Sequence, residues 1–549
     1  MKTYKYLFLL LMSLSIVGCS DLEEEPVGLL SPDGFFQSTN DIQTAVDGAL
    51  THAINEKFWG RKLSIALMLR SDMVDLASDE TRRVEMNELT TLGSNGMISE
   101  FWPKTYQGIA AANLAIAGAE SVGAEDAIKN PVVAQAYFIR AFYYFHLVRQ
   151  FGSVPYIDEP ITDAAASAAI SSTPVAEIYE NIIADLEFAK TWLPNTTLSR
   201  AIPSKAAASS YLSLVYLTMA GTSDSANFKK AFDEASEVIA RAENGTYSLG
   251  LDPDYQTLFD ATKIDASIEP IFALDYNNFE APDNAYDQIA PMTGIRGSDT
   301  NGGGWSVAVP ALAVYETWNS EDYRRAVSMD DFSYFGGVKV NYNDCPSIDS
   351  EGNPTGWYTD ADGTCVQLED DTNNDGIGDS GEEIPAGGYV SAGPHKFAKN
   401  RPYVAKYTRY PGPFARGNGR ATSHNYSMIR YAEVLLIAAE AAVELNDDIS
   451  AVKYINAVRS RARSGGAWLS TASSLVPADH SGGVTVDDVL EERRLELAFE
   501  GKRWYDIARR KIGDQVFSAS GLEGAKANFS SDDYLMPIPE DELERNPNL

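Results

Sequence analysis

Two groups of helical stripes, separated by a long stretch with no helical period, constrain this chain more than any other feature. From Pro131 onward Ala134, Tyr137, Phe138, Ala141, Tyr144, Phe145 and Val148 recur every three or four residues until Gly152 and Pro155 interrupt them. Pro131 is predicted to open this helix, where its missing N–H would cost nothing. Ile178, Ile182, Leu186, Ala189 and Leu193 form a second stripe, predicted to be capped by Ser172 or Thr173 and stopped by Pro194. Residues 204–219 and 228–242 pair as a hairpin across Gly221. Upstream, Phe35 and Phe36 precede the run Ile42, Ala45, Val46, Ala49. Phe101, Trp102, Tyr106, Ile109 and Asn113 mark a further helix, with those aromatics read as core. Downstream, residues 427–464 supply another pair; its first helix shows only Arg430, Glu433, Glu440 and Glu444 as polar, so it is predicted to be nearly buried.

Paired helices of this size, rich in small residues where they must cross, are similar to degenerate tetratricopeptide repeats with a loose register. The expected fold is therefore mostly α: a tetratricopeptide-like scaffold of helical hairpins with a large, irregular, loop-rich insertion carrying short strands. The division expected is a leader over 1–18, an acidic tether over 19–30, scaffold over 31–250, insertion over 251–425 and a C-terminal helical part over 426–549 completing the same unit. In the insertion Gly, Asn, Asp, Pro, Tyr and Trp rise, and strand-like pieces such as 271–274 stand between turns. Loops carried by a rigid scaffold are where binding residues concentrate. Flat rings beside flexible backbone suit sugars, whose apolar faces stack on aromatics while Asn and Asp meet the hydroxyls. The candidate platform is Tyr276, Tyr286, Trp305 after the Gly302-Gly303-Gly304 turn, and Trp357, joined by Trp59 from the 56–60 loop. Taken singly, each of these rings suits ordinary packing better than ligand contact; only as a group on loops do they point to a platform.

The first residues read as an address. Lys2 and Lys5 precede an apolar run over 7–17 too short to span a bilayer, and Ile16-Val17-Gly18 leads into Cys19. This pattern resembles a bacterial lipoprotein signal, with Cys19 as the lipidated residue and an ordinary secretory leader as the alternative. Several acyl chains anchor far better than one. Asp21, Glu23, Glu24 and Glu25 then form the acidic tether. Of the three cysteines, Cys345 and Cys365 remain, an even pair in an oxidising setting, expected to form a disulfide or else to sit as two separate thiols. The net charge of −34 argues against nucleic acid or an anionic lipid surface as partner.

One metal motif stands out. Residues 371–382 fit the twelve-residue calcium loop, with Asp371, Asn373, Asp375, Asp379 and Glu382 as side-chain oxygens, Gly376 at the turn and Ile377 lending its carbonyl. Gly378 at the usually hydrophobic position and the lack of flanking helices leave a solvated acidic loop as the alternative. Catalytic signatures are missing: no HExxH, GxSxG, CxxC or phosphate-cradling glycine loop occurs, and there are five histidines. A pair of carboxylates facing across a sugar needs no such motif, so a surface glycoside hydrolase stays as an alternative.

The stretch 491–510, EERRLELAFEGKRWYDIARR, reads as a helix with Leu490, Leu497 and Phe499 on its packed side and Glu492, Arg493 and Glu496 on its polar side. A break at Gly501 and a second short helix with Trp504, Tyr505 and Ile507 follow. An Arg accompanies each Glu, which favours a structural ion-pair network over an active site. This string, with IRYAEVLLIAAE at 429–440, INAVRSRA at 455–462 and LMPIPEDELERNPNL at 535–549, resembles the SusD (RagB/SusD) family of outer-membrane nutrient-binding lipoproteins. The resemblance implies a non-catalytic, surface-exposed protein that captures an oligosaccharide or polysaccharide and delivers it to a SusC-like TonB-dependent transporter. It also admits relatives that carry peptides or other non-sugar nutrients. The calcium loop lies outside the shared motifs, so its expected role is to stiffen the insertion.

Overall fold

The computed structural model describes residues 32–77, 80–161, 163, 169–276, 287–294, 304–330, 332–335, 338–341, 357–359, 365–368, 383–385, 402–410, 422–464, 474–517 and 526–549. Helices dominate them. The main ones are α1 (Thr39–Ala53), α2 (Lys62–Leu69), α3 (Ile98–Glu120), α4 (Asp126–Phe151), α5 (Val175–Trp192), α6 (Lys205–Ala220) and α7 (Ser225–Glu243). After the inserted region come α8 (Tyr431–Glu444), α9 (Asp448–Ala462), α10 (Val486–Glu496) and α11 (Arg503–Arg510).

From α3 to α9 each of these helices packs on the next, so the array grows like a solenoid, and α7 packs on α8 although residues 244–430 separate them in the chain. The two helical groups are thus one stack. Small residues set the closest approaches: a Cβ at Gly108 of α3 would lie 2.3 Å from the Tyr143 ring of α4. The hairpin α6–α7 forms as its signals require. Ser204 accepts from the Ala207 N–H, Asp224 accepts from Ala226 and Asn227, and Gly221 takes a φ of 56° at the corner.

Three local expectations change. Helix α4 starts at Asp126, so Pro131 lies inside it. The ring removes one backbone donor, a local cost that burial of the succeeding face, from Val133 to Phe151, outweighs. Helix α5 is preceded by Pro174 with no side-chain cap. Thr173 is engaged elsewhere: its hydroxyl accepts from the Tyr156 N–H and its own N–H donates to Val154. In α10 the charged residues Glu492, Arg493 and Glu496 face inward rather than outward, each no more than 3% exposed. The break itself is where the sequence places it, with Phe499 and Gly501 at positive φ between α10 and α11.

Short strands join the parts. These are β1 (Val74–Leu76), β2 (Pro270–Leu274), β3 (Ala308–Pro310) and β4 (Tyr426–Arg430); β1 pairs with β3 and β2 with β4, both antiparallel. Strand β2 is buried at every residue, and Phe272 packs on Phe138 and Phe142 of α4. The insertion therefore begins and ends as a two-stranded ribbon inside the helical core. Among the described residues no helix is long and apolar enough to cross a membrane.

Candidate functional site

Where the ribbon β2–β4 meets α9 and α10, the molecule concentrates charge. Glu496 is the centre: Arg430 Nη1 at 2.6 Å, Arg324 Nη1 at 3.0 Å and Arg461 Nη2 all donate to its carboxylate. Arg430 also binds Glu269 at 2.6 Å and Glu500 at 3.0 Å, and Lys406 joins Glu500 at 2.8 Å. Arg324 also pairs with Asp322 and Glu492, and Arg459 with Glu492. Burial pushes Glu496 upward, yet Arg461, Arg430 and Arg324 together outweigh it and hold the group well below the usual carboxylate range. A second knot links α8, α10 and α11: Arg493 and Arg509 clamp Asp506, which stays at about 2 despite burial, and Arg509 reaches Glu440.

This arrangement is not built to meet a substrate. Its carboxylates are occupied by guanidinium or ammonium groups, and the void beside Arg430 and Glu500 is about 10 Å³, too small for a ligand. The structural ion-pair reading of 491–510 holds for these residues.

The aromatic candidates are scattered. Trp59 is 1% exposed, its ring 5.1 Å from Tyr426 and 5.5 Å from His146, with Gly501 against its edge. The 55–60 loop is tight, Phe58 and Gly60 N–H groups both returning to the Asn55 carbonyl, and it turns the indole into the core. Trp59 is therefore a core residue, not part of a stacking platform. Tyr276 is corrected likewise: it is 4% exposed at the end of β2, its N–H donating to Asn425 Oδ1 at 2.6 Å. Trp305 keeps a partly exposed ring on a stiff base. Its N–H donates to Pro291, and a Cβ at Gly304 would fall 2.2 Å from the Gly294 carbonyl carbon. Gly304 is thus required by a backbone crossing rather than by flexibility.

Trp357 lies on a strand, Trp357–Thr359, that pairs with Cys365–Leu368, so the backbone of Cys365 faces Thr359; the side chains are outside the described residues. Tyr286, Cys19, Cys345 and the candidate calcium residues Asp371, Asn373, Asp375, Ile377, Asp379 and Glu382 also lie outside them.

A polar cleft that sequence reading did not find lies beside β2. Two adjoining hollows of about 220 and 280 Å³ share Leu198, Ser199, Arg200 and Asp265, the second also bordered by Asp275 and Asn425. Ser199 Oγ donates to Asp275 at 2.7 Å, Asn425 Nδ2 to Asp265 at 2.7 Å, and Arg200 Nη2 to the Ser248 carbonyl at 3.0 Å. Burial lifts the Asp275 carboxyl, and nearby Asp265 adds to the rise. Alternating donors and acceptors of this kind match a polyhydroxylated ligand better than an apolar one. The Asn195-Thr196-Thr197 run reads only as a loop, and nothing local says that it meets Asp275.

A solenoid of helices closed across an inserted loop face is the architecture of the SusD fold. A SusD homolog from Bacteroides thetaiotaomicron superposes with a TM-score of 0.74 at 20% identity, covering 94% of this chain and 97% of that one. Surface glycan-binding protein A from Bacteroides thetaiotaomicron, in complex with laminarihexaose, superposes at 0.67 with 21% identity, covering 92% and 98%. The SusD family model matches residues 268–549, and a model described as starch-binding associating with outer membrane matches 30–217. SusD-like protein P2 of Formosa agariphila is 44% identical over 560 residues, spanning 100% of this chain and 99% of that protein. The chain belongs to the SusD family.

Proposed function

We propose that this protein is a cell-surface lipoprotein, anchored in the outer membrane through Cys19, that captures oligosaccharide or polysaccharide without cleaving it. It then passes the glycan to a SusC-like TonB-dependent transporter. The observation that carries this reading is the match to a SusD-like protein along the whole chain. Support comes from the outer-membrane description of the model over 30–217 and from a structural relative bound to laminarihexaose. In this reading Trp305 offers a ring, and Ser199, Asp265, Asp275 and Asn425 meet hydroxyls. The 371–382 loop takes calcium and stiffens the insertion, and Cys345 bonds Cys365. Tethering ligand beside a transporter raises its local concentration, so capture works at modest affinity.

Calorimetric titration of residues 20–549 with laminarin, starch and an acidic polysaccharide tests it, with chromatography of the mixture for released sugar. Saturable heat without products is expected. Trp305→Ala should weaken capture about tenfold, the loss of one stacked ring. Released sugar would overturn the non-catalytic reading, and heat with peptides alone would move the ligand class.

A further inference from the structure

Where the C-terminal ends of α4 and α6 meet α11, a cleft of about 250 Å³ holds two cations that no carboxylate answers among the described residues. They are Arg149 and Lys511. The contrast with their surroundings is sharp, since Arg493, Arg494, Arg503, Arg509 and Arg510 of α10 and α11 all pair with Asp or Glu.

Arg149 is held for a purpose beyond its helix. Its Nε donates to the Phe145 carbonyl, the usual service of a basic residue at a helix C-terminus. Its guanidinium carbon lies over both the Phe145 and Tyr505 rings, 3.7 and 3.6 Å from their centroids. These two ring contacts hold the fork in advance, and Nη1 and Nη2 have no acceptors among the described residues. Lys511, exposed, projects its ammonium 4.1 Å over Tyr534. The Tyr179 hydroxyl, also lining the cleft, has no hydrogen bond to a described residue.

We propose that this cleft receives the carboxylate of an aspartate or glutamate side chain on an acidic segment of a partner polypeptide. Arg149, Lys511 and Tyr179 line one space of about 250 Å³, and a guanidinium held by ring contacts suits a carboxylate's two oxygens. A uronic acid ring fits worse, because Tyr505 and Tyr534 are both buried, with Arg149 and Lys511 lying over their rings, so the pyranose finds little ring face to stack on. Leu535, 45% exposed at the rim, offers an apolar contact to a flanking residue. Because the protein carries −34 overall, an acidic segment is repelled by most of its surface, and these two free cations set where it docks. None of its lining residues borders the hollows at Ser199 and Asp275, so the inference stands apart from the glycan reading.

The test uses fluorescence anisotropy of labelled, terminally blocked hexapeptides carrying two glutamates, the same peptides with glutamines, and glucuronate as competitor, against residues 20–549. The glutamate peptides should bind, more weakly as salt rises, and the glutamine peptides at least tenfold more weakly. Arg149→Gln should cost about tenfold in Kd. Lys511→Gln, at an exposed position that leaves packing intact, should cost several-fold, with the thermal midpoint unchanged. Equal binding of both peptide sets, no binding of the glutamate set, or binding indifferent to Lys511→Gln would each overturn the proposal. Glucuronate binding at this cleft while the peptides fail would overturn it in favour of an acidic sugar.

Discussion

Replacing Arg430 with Met tests whether the central charge cluster is a joint. Among the described residues five carboxylates, on Glu269, Asp322, Glu492, Glu496 and Glu500, face five cations, on Arg324, Lys406, Arg430, Arg459 and Arg461. Arg430→Met keeps the aliphatic stem but leaves one buried negative charge in excess. It also removes donors at 2.6 Å to Glu269 and Glu496 and at 2.7 Å to the Glu496 carbonyl. Breaking a buried pair from one side costs about 3–5 kcal/mol. The control is Glu491→Gln on α10, the helix that carries Glu496; it meets its partner Arg494 with a side chain 52% exposed and should cost at most ~1 kcal/mol.

Urea unfolding at pH 7, followed by circular dichroism, compares the two. Arg430→Met combined with Glu500→Gln should regain part of the loss, because the excess charge is gone. Acid adds a second reading. Asp506, burial notwithstanding, is held at about 2 by Arg493 and Arg509 against an ordinary 3.8, so the folded state binds this proton less tightly than the unfolded chain. Its contribution is complete above about pH 4 and is lost as pH falls towards 2. Glu500, lowered by Arg430 and Lys406 against burial, behaves with the same sign, so Arg430→Met should move the acid transition to higher pH. If Arg430→Met costs no more than Glu491→Gln, the cluster does not lock the fold and the reasoning fails.

Trp59→Ala should cost about 3–5 kcal/mol, as for a fully buried ring, while glycan affinity of the folded fraction stays unchanged; titration below the unfolding temperature checks both. Asp287, pushed up to about 7 by burial from an ordinary 3.8, binds its proton more tightly when folded, so stability falls as pH rises from about 4 to 7. Asp287→Asn should remove that slope, read as the difference in thermal midpoint between pH 4 and 8. Calcium should raise the thermal midpoint and chelator reverse it, with Asp371→Asn and Glu382→Gln together abolishing the effect; an unchanged midpoint and no calcium heat would mark 371–382 as a plain acidic loop.

The helical framework was legible because its signals are local. Ser204, Gly221 and the stripes of α4 and α5 act over three or four residues, the range that a sequence displays openly. What escaped was decided over long range. The polar side of α10 points inward because Arg430, 66 residues away, and Arg324, 172 residues away, meet Glu496 there. Trp59 stands outside every stripe, yet Tyr426 and His146 enclose it. The polar cleft at Ser199 and Asp275 joins residues 76 apart whose types are ordinary for loops.

These misses have one physical origin. A helix stack that leaves its axis after residue 243 and resumes at residue 431 has a seam where the loop-rich segment enters and returns, and solvent must be kept out of it. The ribbon β2–β4 forms the seam, and Glu269, Arg430 and Tyr426 on or beside it fasten it to α9, α10 and Trp59. Charged and aromatic residues with the look of chemistry are therefore spent on closure, where their pairing makes them inaccessible. Under the proposed function, ligand contact is then assigned to residues with weaker signatures, Trp305 on its glycine crossing and the Ser, Asn and Asp groups beside β2.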